Sequence, residues 1–441
     1  KTAGAAPVRL DVFLQAQGAP LSSSASTSLS TKRPYTNKPE ERASKISKRL
    51  QELLVLQGKP STSDGDVDHF DVHDVAFPKA KAEKERVMSA IARVHDDKFL
   101  RFLEQSFMEW EKSGDKDHSD ACGYLVPYHR PPFTGRSPRI NPVLWLNVNL
   151  YATDMFTPIA KDTFSEAFHS VACAIAAADH IAEGKTRYAY ALTIHPGHHA
   201  AQRTYGGYCY INNAAVAVRV LQDSGRGFER IAILDVDYHH GDGTQNIFWD
   251  DSMVFCASIH MDPRMDYPHF SGFEDEVGDA PYGGKRGHSE PQNRQNKGRQ
   301  ITDNVGHTNL NIPLPPGTKW EEKKEEKDGY RPALDRALRA IVRFNPDAVI
   351  VSFGADTVSG DPDSVDTAGM RLEVKDYRTM GETIRKELWT SMSKGDVIDR
   401  TNVEAGEIEN LLPPVLVVQE GGYLIEKVAD VVCNFLGVQN V

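Results

Sequence analysis

Residues 231–248 read IAILDVDYHHGDGTQNIF, in which an apolar run gives way to aspartates and histidines. A short run rich in Ile, Ala and Leu that lacks a polar face is typical of a strand buried on both faces of a parallel sheet. Four other runs share this character: YAYALTI (188–194), MVFCASI (253–259), AVIVSF (348–353) and PVLVVQ (414–419). We therefore predict that these five runs are strands of one sheet.

The stretches between these runs have the spacing of helices. Apolar residues recur at intervals of three and four in five segments: 163–182, 211–223, 333–343, 376–393 and 425–437. The same spacing from about Lys79 to Trp110 predicts helices at the start of the folded domain. Strands and helices in alternation favour an α/β fold, a doubly wound and mostly parallel sheet with helices on both faces.

The length of 441 residues fits one large α/β domain with long insertions. Residues 1–70 contain simple Ser-rich stretches, which predict a poorly ordered or extended N-terminal segment before a domain at 71–441. Two polar stretches, 283–307 and 394–411, are predicted to be surface insertions. The basic residues of the first, from Lys285 to Arg299, are expected to be a solvated loop.

The composition excludes several classes of partner. Lys and Arg total 51 against 62 Asp and Glu, a net charge of -11, so a nucleic-acid partner is not expected. The five cysteines are scattered and lack C-x-x-C spacing, which favours a reducing, intracellular compartment, cytoplasmic or nuclear. Neither a bilayer-spanning run nor a secretory signal is evident, so we expect a soluble protein without a membrane partner.

Polar clusters follow four of the predicted strands. They are HPGHH (195–199), DVDYHHGD (235–242), GAD (354–356) and EGGY (420–423). Ligands bind a doubly wound sheet at the carboxyl ends of its strands. The four clusters are therefore expected to converge on one site.

The second and third of these clusters predict a metal site. A carboxylate and an imidazole two residues apart in extended backbone project to the same side, so Asp237 and His239 can bind one ion together. Asp356, from another strand end, completes three ligands and leaves a position open, as in catalytic metal sites. Oxygen and nitrogen ligands suit Zn(II), and Fe(II) or Co(II) would also be accepted.

The remaining clusters carry groups suited to proton transfer. His198 and His199 follow a Pro-Gly turn, and Asp235 and Asp242 are available to orient their imidazoles. Tyr423 follows two glycines, and its phenol there would hydrogen-bond the oxyanion of a hydrolysed amide. Aromatic residues in nearby loops are predicted to make a narrow apolar tunnel for a methylene chain; with one glycine, they are Gly207, Tyr208 and Tyr267.

At these motifs the sequence resembles the histone deacetylase superfamily, most of all its acetylpolyamine amidohydrolase and class II deacetylase branch. The resemblance runs from about Lys79 to Val441 and rests on several ordered motifs, among them PGHHA, GGYCYINNAAVA, DPRMDYPHFSG, VIVSFGAD and VVQEGGY. It implies the arginase/deacetylase fold and zinc bound by Asp237, His239 and Asp356.

The resemblance also implies a role for each neighbouring residue. His199 would act as general base on water, His198 would assist electrostatically or as an acid, and Tyr423 would steady the tetrahedral intermediate. Asp235 and Asp242 would orient His198 and His199. A structural potassium ion would bind beneath the zinc at Asp235, Asp237, His239 and Ser258. The substrate tunnel of the family would be lined here by Gly207, Tyr208 and Tyr267.

Two departures from the branch affect these expectations. Asp242 stands where acetylpolyamine enzymes usually have Asn, and a carboxylate there should raise the pKa of His199. In the stretch 139–159, Trp145 and Phe156 stand where polyamine deacetylases carry acidic residues, although Asp154 lies nearby. Because this stretch supports dimerisation in that branch, we expect that a homodimer can form.

The predicted function is zinc-dependent hydrolysis of an N-acetylated amine to acetate and a free amine. The loss of the acidic matches slightly favours acetyl-lysine in proteins such as histones, and the alternative is acetylpolyamine amidohydrolysis. Ureohydrolases share the fold but need two manganese ions and more Asp and His ligands than 354–356 offers. A non-catalytic scaffold that binds an acylated ligand is a third reading, against which the retention of Tyr423 and all three metal ligands argues.

Overall fold

The computed structural model of the chain describes residues 8–15, 39–56, 67–120, 123–128, 139–278, 307–320, 329–364, 369–391 and 412–438. The two predicted insertions, 283–307 and 394–411, lie outside the described residues apart from His307. The basic stretch from Lys285 to Arg299 likewise lies outside them.

Eight parallel strands form one sheet in the described part of the chain, in the order β2-β1-β3-β8-β7-β4-β5-β6. The strands are β1 (Val8–Gln15), β2 (Val67–Val75), β3 (Tyr188–Ala191), β4 (Ile231–Asp235), β5 (Val254–Met261), β6 (Asn309–Leu314), β7 (Ala348–Phe353) and β8 (Val415–Gln419). The five predicted strands are thus present, and they occupy consecutive positions from β3 to β5.

Helices connect the strands and cover both faces of the sheet. The described helices are Pro39–Leu56, Lys81–Ala92, Asp97–Ser113, Val148–Tyr151, Thr163–Ala182, Asn213–Asp223, Asp242–Phe248, Tyr330–Phe344, Val374–Ser391 and Val428–Leu436, with a 3-10 turn at Leu144–Asn147. All five predicted interstrand helices are present, and the helical start of the domain is divided in two near Arg93. Among the described residues, no helix is long and apolar enough to cross a membrane.

The central strands are buried from end to end, which explains their uniformly apolar sequences. Every residue of β4 and of β7 is buried. Two separate apolar clusters result, one on each face of the sheet, and alternate residues of each central strand belong to opposite clusters. In β4, for example, Ala232 and Leu234 pack on one face while Ile231 and Ile233 pack on the other.

Within the segment 1–70, which the sequence predicts to be poorly ordered or extended, the structure describes a strand, a helix and the start of β2. Val8–Gln15 is an inner strand, and Pro39–Leu56 is a helix whose Ile46, Leu50 and Leu53 pack against Leu10 and Val12 in one core. Ser-rich stretches flank these two elements in the sequence. The helix Pro39–Leu56 packs mainly against the helix Val428–Leu436, which lies far away in the chain. The strand β6 was not predicted from sequence spacing either.

The order of the strands brings the polar clusters together. The four strands that precede the clusters, β3, β8, β7 and β4, are consecutive in the sheet. Because all four are parallel, their carboxyl ends lie on the same edge. The strand order therefore places the four polar clusters at one edge of the sheet, as predicted.

Candidate active site

Three buried side chains with metal-ligating atoms meet at this rim. Asp237, His239 and Asp356 each offer an atom within 4.8 Å of the other two. His239 Nδ1 lies 3.5 Å from a carboxylate oxygen of Asp237 and 3.7 Å from Asp356 Oδ2. Asp356 Oδ2 is buried and has no hydrogen-bond partner among the described residues. A cation between the three would satisfy this atom, so the donor set fits a zinc ion.

Backbone amides hold the two carboxylates in place. Asp237 accepts hydrogen bonds from the N–H groups of His239 and Gly421, both at 2.9 Å, and Asp356 accepts one from Tyr238 at 3.0 Å. Burial and the neighbouring Asp237 charge raise the pKa of Asp356 to about 7. Two carboxylates forced together without water are costly unless a cation neutralises them, which again favours an ion at this position.

The tandem imidazoles lie beside the three ligands, each bound to its own carboxylate. His198 Nδ1 is 3.0 Å from Asp235 Oδ2, and His199 Nδ1 is 2.7 Å from Asp242 Oδ1. The two rings are 4.0 Å apart, and His198 Nε2 is 3.7 Å from Asp237. The predicted pairing of both histidines with both acids is present in the structure.

The two imidazoles nevertheless have opposite charge preferences. Burial would lower the pKa of His198, but the carboxylates of Asp237 and Asp235 outweigh it and raise the pKa to about 10. Burial lowers the pKa of His199, and the positive charge of His198 lowers it further. His198 is therefore the cationic imidazole and His199 the neutral one, which is the form that accepts a proton.

This result corrects the expectation that Asp242 raises the pKa of His199. The same burial raises the pKa of Asp242 to about 7, so its negative charge is weakened near neutral pH. Sequence alone shows the carboxylate beside the imidazole but not the desolvation of both groups. The main effect of the Asp242 carboxylate is therefore to orient the His199 ring, and it does little to stabilise the protonated imidazole.

Tyr423 is buried next to this group. Its backbone N–H donates to Asp361 Oδ2 at 2.8 Å, as does the N–H of Leu424 at 2.9 Å. Its ring meets the ring of Tyr208 edge-on, with centroids 5.7 Å apart. Burial raises the pKa of the phenol well above its usual value, so Tyr423 keeps the proton that it would donate to an oxyanion.

The residues predicted for the tunnel wall also lie at the site. Tyr267 packs edge-on against His199 at 4.8 Å, and Gly207 lies against the same imidazole. Asp154 fixes both loops, because its Oδ2 accepts from Gly207 N at 2.6 Å and from the Tyr267 hydroxyl at 3.4 Å. The Asp154 carboxylate therefore positions these two loops through its hydrogen bonds. Trp145, by contrast, packs edge-on against His118 at 5.1 Å.

We expect Gly207→Ala to lower kcat/KM by about 10²-fold, because a methyl group there meets the His199 ring and displaces it. Gly225→Ala is the matched control, since both glycines have positive φ, 53° and 68°, but Gly225 faces open space. Both variants should lose about 1 kcal/mol of stability from the backbone conformation. Equal kcat/KM values in steady-state kinetics of the two variants would contradict the role of Gly207.

Asp363 is a residue of the site that sequence reasoning missed. Its Oδ1 accepts from the Tyr208 hydroxyl at 3.4 Å, and its Oδ2 lies 4.0 Å from His239 Nε2. Its side chain is 17% exposed, so a partly exposed carboxylate lies beside His239 and Tyr208. The only sequence signal was an acidic residue seven positions after Asp356, in a loop whose path the sequence does not specify.

Arg42 is a second missed residue, and it comes from the helix Pro39–Leu56. Its guanidinium is buried and lies 5.9 Å from the ring centroid of Tyr423. One nitrogen donates to the Ile194 carbonyl at 2.8 Å, while Nε and Nη1 have no hydrogen-bond partner among the described residues. A buried cation with two unused donors is a candidate partner for a small anion.

Ser258 lies beside Asp235, because the two residues are register partners on β5 and β4. Its hydroxyl is 2.7 Å from His260 Nδ1 and 3.4 Å from His240 Nδ1. The structure thus brings together the residues predicted for potassium, but the ion itself stays a prediction.

The chain is similar to known proteins along most of its length. The model of the "Histone deacetylase domain" family matches residues 38–399. An acetylpolyamine amidohydrolase of Mycoplana ramosa is 34% identical over 365 residues, 83% of this chain and 87% of the relative. Histone deacetylase 8 of Arabidopsis thaliana is 31% identical over 233 residues, 52% of each chain. The crystal structure of acetylpolyamine aminohydrolase from Burkholderia pseudomallei matches with a TM-score of 0.67 and 26% identity, over 97% of this chain and 98% of that one.

Proposed function

Because the chain belongs to the histone deacetylase family, we propose that it is a metal-dependent amidohydrolase that removes the acetyl group from N-acetylated amines. The observation that carries this proposal is the meeting of three metal ligands with two carboxylate-bound imidazoles. The arrangement places a metal site, a neutral imidazole that can act as a base (His199) and a cationic imidazole (His198) within one buried cluster. The products are acetate and a free amine.

Asp237, His239 and Asp356 would hold zinc, the metal expected for the family and predicted from the sequence. Zinc, when bound, would polarise the acetyl carbonyl and make water a better nucleophile. Fe(II) or Co(II) would fit the same donors. The third reading from sequence, a non-catalytic scaffold, is less well supported because each of these ligands is present and buried.

The side chains around the metal ligands supply the proton transfers. Neutral His199 takes a proton from the attacking water as the C–O bond forms, and Asp242 holds its ring through Nδ1. The Tyr423 hydroxyl donates to the developing oxyanion. As the C–N bond breaks, the leaving nitrogen receives a proton from the imidazole pair, while cationic His198, held by Asp235, stabilises the negative charge.

Arg42 has a place in the last step. Acetate is a small carboxylate, and the guanidinium of Arg42 lies buried beside Tyr423 with two donors unused within the described structure. We propose that it stabilises the departing acetate through paired N–H···O bonds.

Asp363 shifts the choice of substrate from acetyl-lysine toward an acetylated polyamine. A negative charge in the predicted tunnel wall attracts the free ammonium group of an acetylated polyamine. The backbone around an acetyl-lysine carries no charge, so it gains no such attraction. Relatives covering most of this chain are named acetylpolyamine amidohydrolases. The sequence-based preference for acetyl-lysine rested on the missing acids of 139–159, and Asp363 supplies an acid from a different loop.

Acetate release from acetylputrescine and from an acetyl-lysine peptide tests both the metal-dependent deacetylation and the preference for a polyamine substrate. We expect release from both to be abolished by a chelator, with the higher kcat/KM for acetylputrescine. Release that resists the chelator would contradict the metal-dependent mechanism. A higher kcat/KM for the peptide would overturn the polyamine assignment while leaving deacetylation intact.

We expect Asp363→Asn to lower kcat/KM for acetylputrescine about tenfold, because the amide keeps the size of the side chain but loses its charge. N-butylacetamide has the same chain without the ammonium group, so its kcat/KM should not change. Asp250→Asn, at an exposed acid, is the control for net charge. An equal loss for both substrates would show that Asp363 acts through His239 or Tyr208 and not on the substrate cation.

A structural potassium ion at Asp235, Asp237, His239 and Ser258 remains part of the proposal. The pairing of Asp235 with Ser258 across β4 and β5 supports it. Thermal stability measured in potassium and in sodium chloride at equal ionic strength tests it, and an equal melting temperature in the two salts would speak against a specific site.

Assembly and compartment are also proposals. Met155 and Phe156 are 63% and 60% exposed in the stretch expected to support dimerisation, and burial of these side chains would stabilise a homodimer. Light scattering in solution gives the molar mass that decides this. An intracellular site, cytoplasmic or nuclear, is supported by Cys173, Cys209, Cys256 and Cys433, which are all free thiols.

A further inference from the structure

A second group of metal-ligating side chains lies on the first two strands, outside the active site. Asp11, His73 and His180 each offer a ligand atom within 4.8 Å of the other two. Asp11 is in β1, His73 is in β2, and His180 is in the last turns of the helix Thr163–Ala182. The cluster therefore joins three elements that the sequence separates widely.

The local structure fixes the directions of these side chains. Asp11 and Phe13 project from the same face of β1, and His73 is the register partner of Phe13 on β2. The His73 ring stacks on Phe13 at 4.8 Å, and the His180 ring meets Phe13 edge-on at 4.7 Å. His73 Nε2 is 3.0 Å from Asp11 Oδ1. Both imidazoles are thus held by one aromatic ring with a carboxylate beside them.

One imidazole nitrogen of the cluster has no hydrogen-bond partner in the described structure. His180 Nδ1 is buried and has no hydrogen-bond partner among the described residues. Leaving a buried polar atom unpaired costs free energy, which a bound cation would recover.

The nearby cations are already engaged with other carboxylates. Arg9 lies 3.7 Å from Asp11 Oδ1 but makes its closer contact, 2.6 Å, with Asp71. Lys185 is 2.5 Å from Glu183. The buried Asp11 carboxylate, 1% exposed, is therefore left mainly to His73. His73 is 34% exposed, which provides a path from solvent for an ion.

We propose that Asp11, His73 and His180 form a second binding site, for a divalent transition cation such as zinc. Two imidazole nitrogens and one carboxylate oxygen are a donor set that these cations prefer over calcium or magnesium. Ligand atoms around bound zinc are roughly 3.5 Å apart. The His73–Asp11 pair, at 3.0 Å, would therefore open slightly, and any distance near the 4.8 Å limit of the cluster would shorten. It would then tie β1 and β2 to the helix Thr163–Ala182.

Zinc counting on the full chain tests this site. The protein is freed of metal, dialysed against buffered micromolar zinc, and analysed for bound zinc by elemental analysis. We expect two equivalents in the unmodified chain, one in His180→Gln and in His73→Gln, and one in His239→Ala. The double variant His180→Gln with His239→Ala should bind none. His69→Gln, which changes a 58% exposed histidine of the same strand, is the control and should keep both equivalents.

A thermal readout keeps the test independent of deacetylation and of the metal in the active site. In the His239→Ala background, zinc should raise the melting temperature by several degrees, and adding His180→Gln should abolish that shift. One equivalent in the unmodified chain, or two in His180→Gln, would overturn the second site. The zinc count and the melting shift hold whether or not acetate is released, so failure of the proposed function would be separately visible.

Discussion

Tyr423→Phe is expected to lower kcat by about two to three orders of magnitude, because the oxyanion loses its protein hydrogen-bond donor. KM should change little, since the ring keeps its contact with Tyr208 and the backbone N–H keeps its bond to Asp361. Bound zinc should be unaffected, as Tyr423 is not one of the three ligands. Steady-state kinetics with acetylputrescine, combined with zinc analysis, measure all three quantities.

Tyr188→Phe is the matched control for the loss of a buried phenol. Tyr188 lies at the start of β3, away from the rim, and its hydroxyl accepts from Arg385 at 3.1 Å. This variant should lose stability, typically about 1 kcal/mol for a hydrogen bond of this kind, and retain kcat. A Tyr423→Phe enzyme with normal kcat would remove Tyr423 from the mechanism.

Asp237→Asn is expected to remove the active-site metal and to lower deacetylation by about three orders of magnitude or more. Asp237 is the hub of the site: its carboxylate accepts from His239 N and Gly421 N and lies 3.7 Å from His198 Nε2. The amide has one acceptor oxygen in place of two and carries no charge for the cation. Zinc content should fall by one equivalent per chain, and activity should not return when zinc is added.

The control for Asp237→Asn is Asp250→Asn, which removes one exposed carboxylate close in sequence, just after the helix Asp242–Phe248. It should keep its zinc and its kcat/KM. Full activity and full zinc content in Asp237→Asn would show that this carboxylate is not a ligand, and the proposed metal centre would then be wrong.

The strands and helices around the site could be read from the sequence because their patterns are local. Buried central strands such as β7 need apolar residues at every position, and the following helices show a regular apolar spacing. The edge strands of the sheet were not predicted from the sequence. In β2, VDHFDVHDV, polar residues occur on both faces, so the segment resembles a polar loop until its neighbour β1 is known.

The sequence by itself determined the central α/β sheet, the family, and the meeting of Asp237, His239 and Asp356 at one rim, because fixed spacings after apolar strands specify where such side chains emerge. Only the tertiary structure decided which imidazole is neutral, since the low pKa of His199 comes from burial and from the charge of His198. The same is true of Arg42, Asp363 and the cluster of Asp11, His73 and His180. Their partners lie far away in the chain, and only packing brings them together.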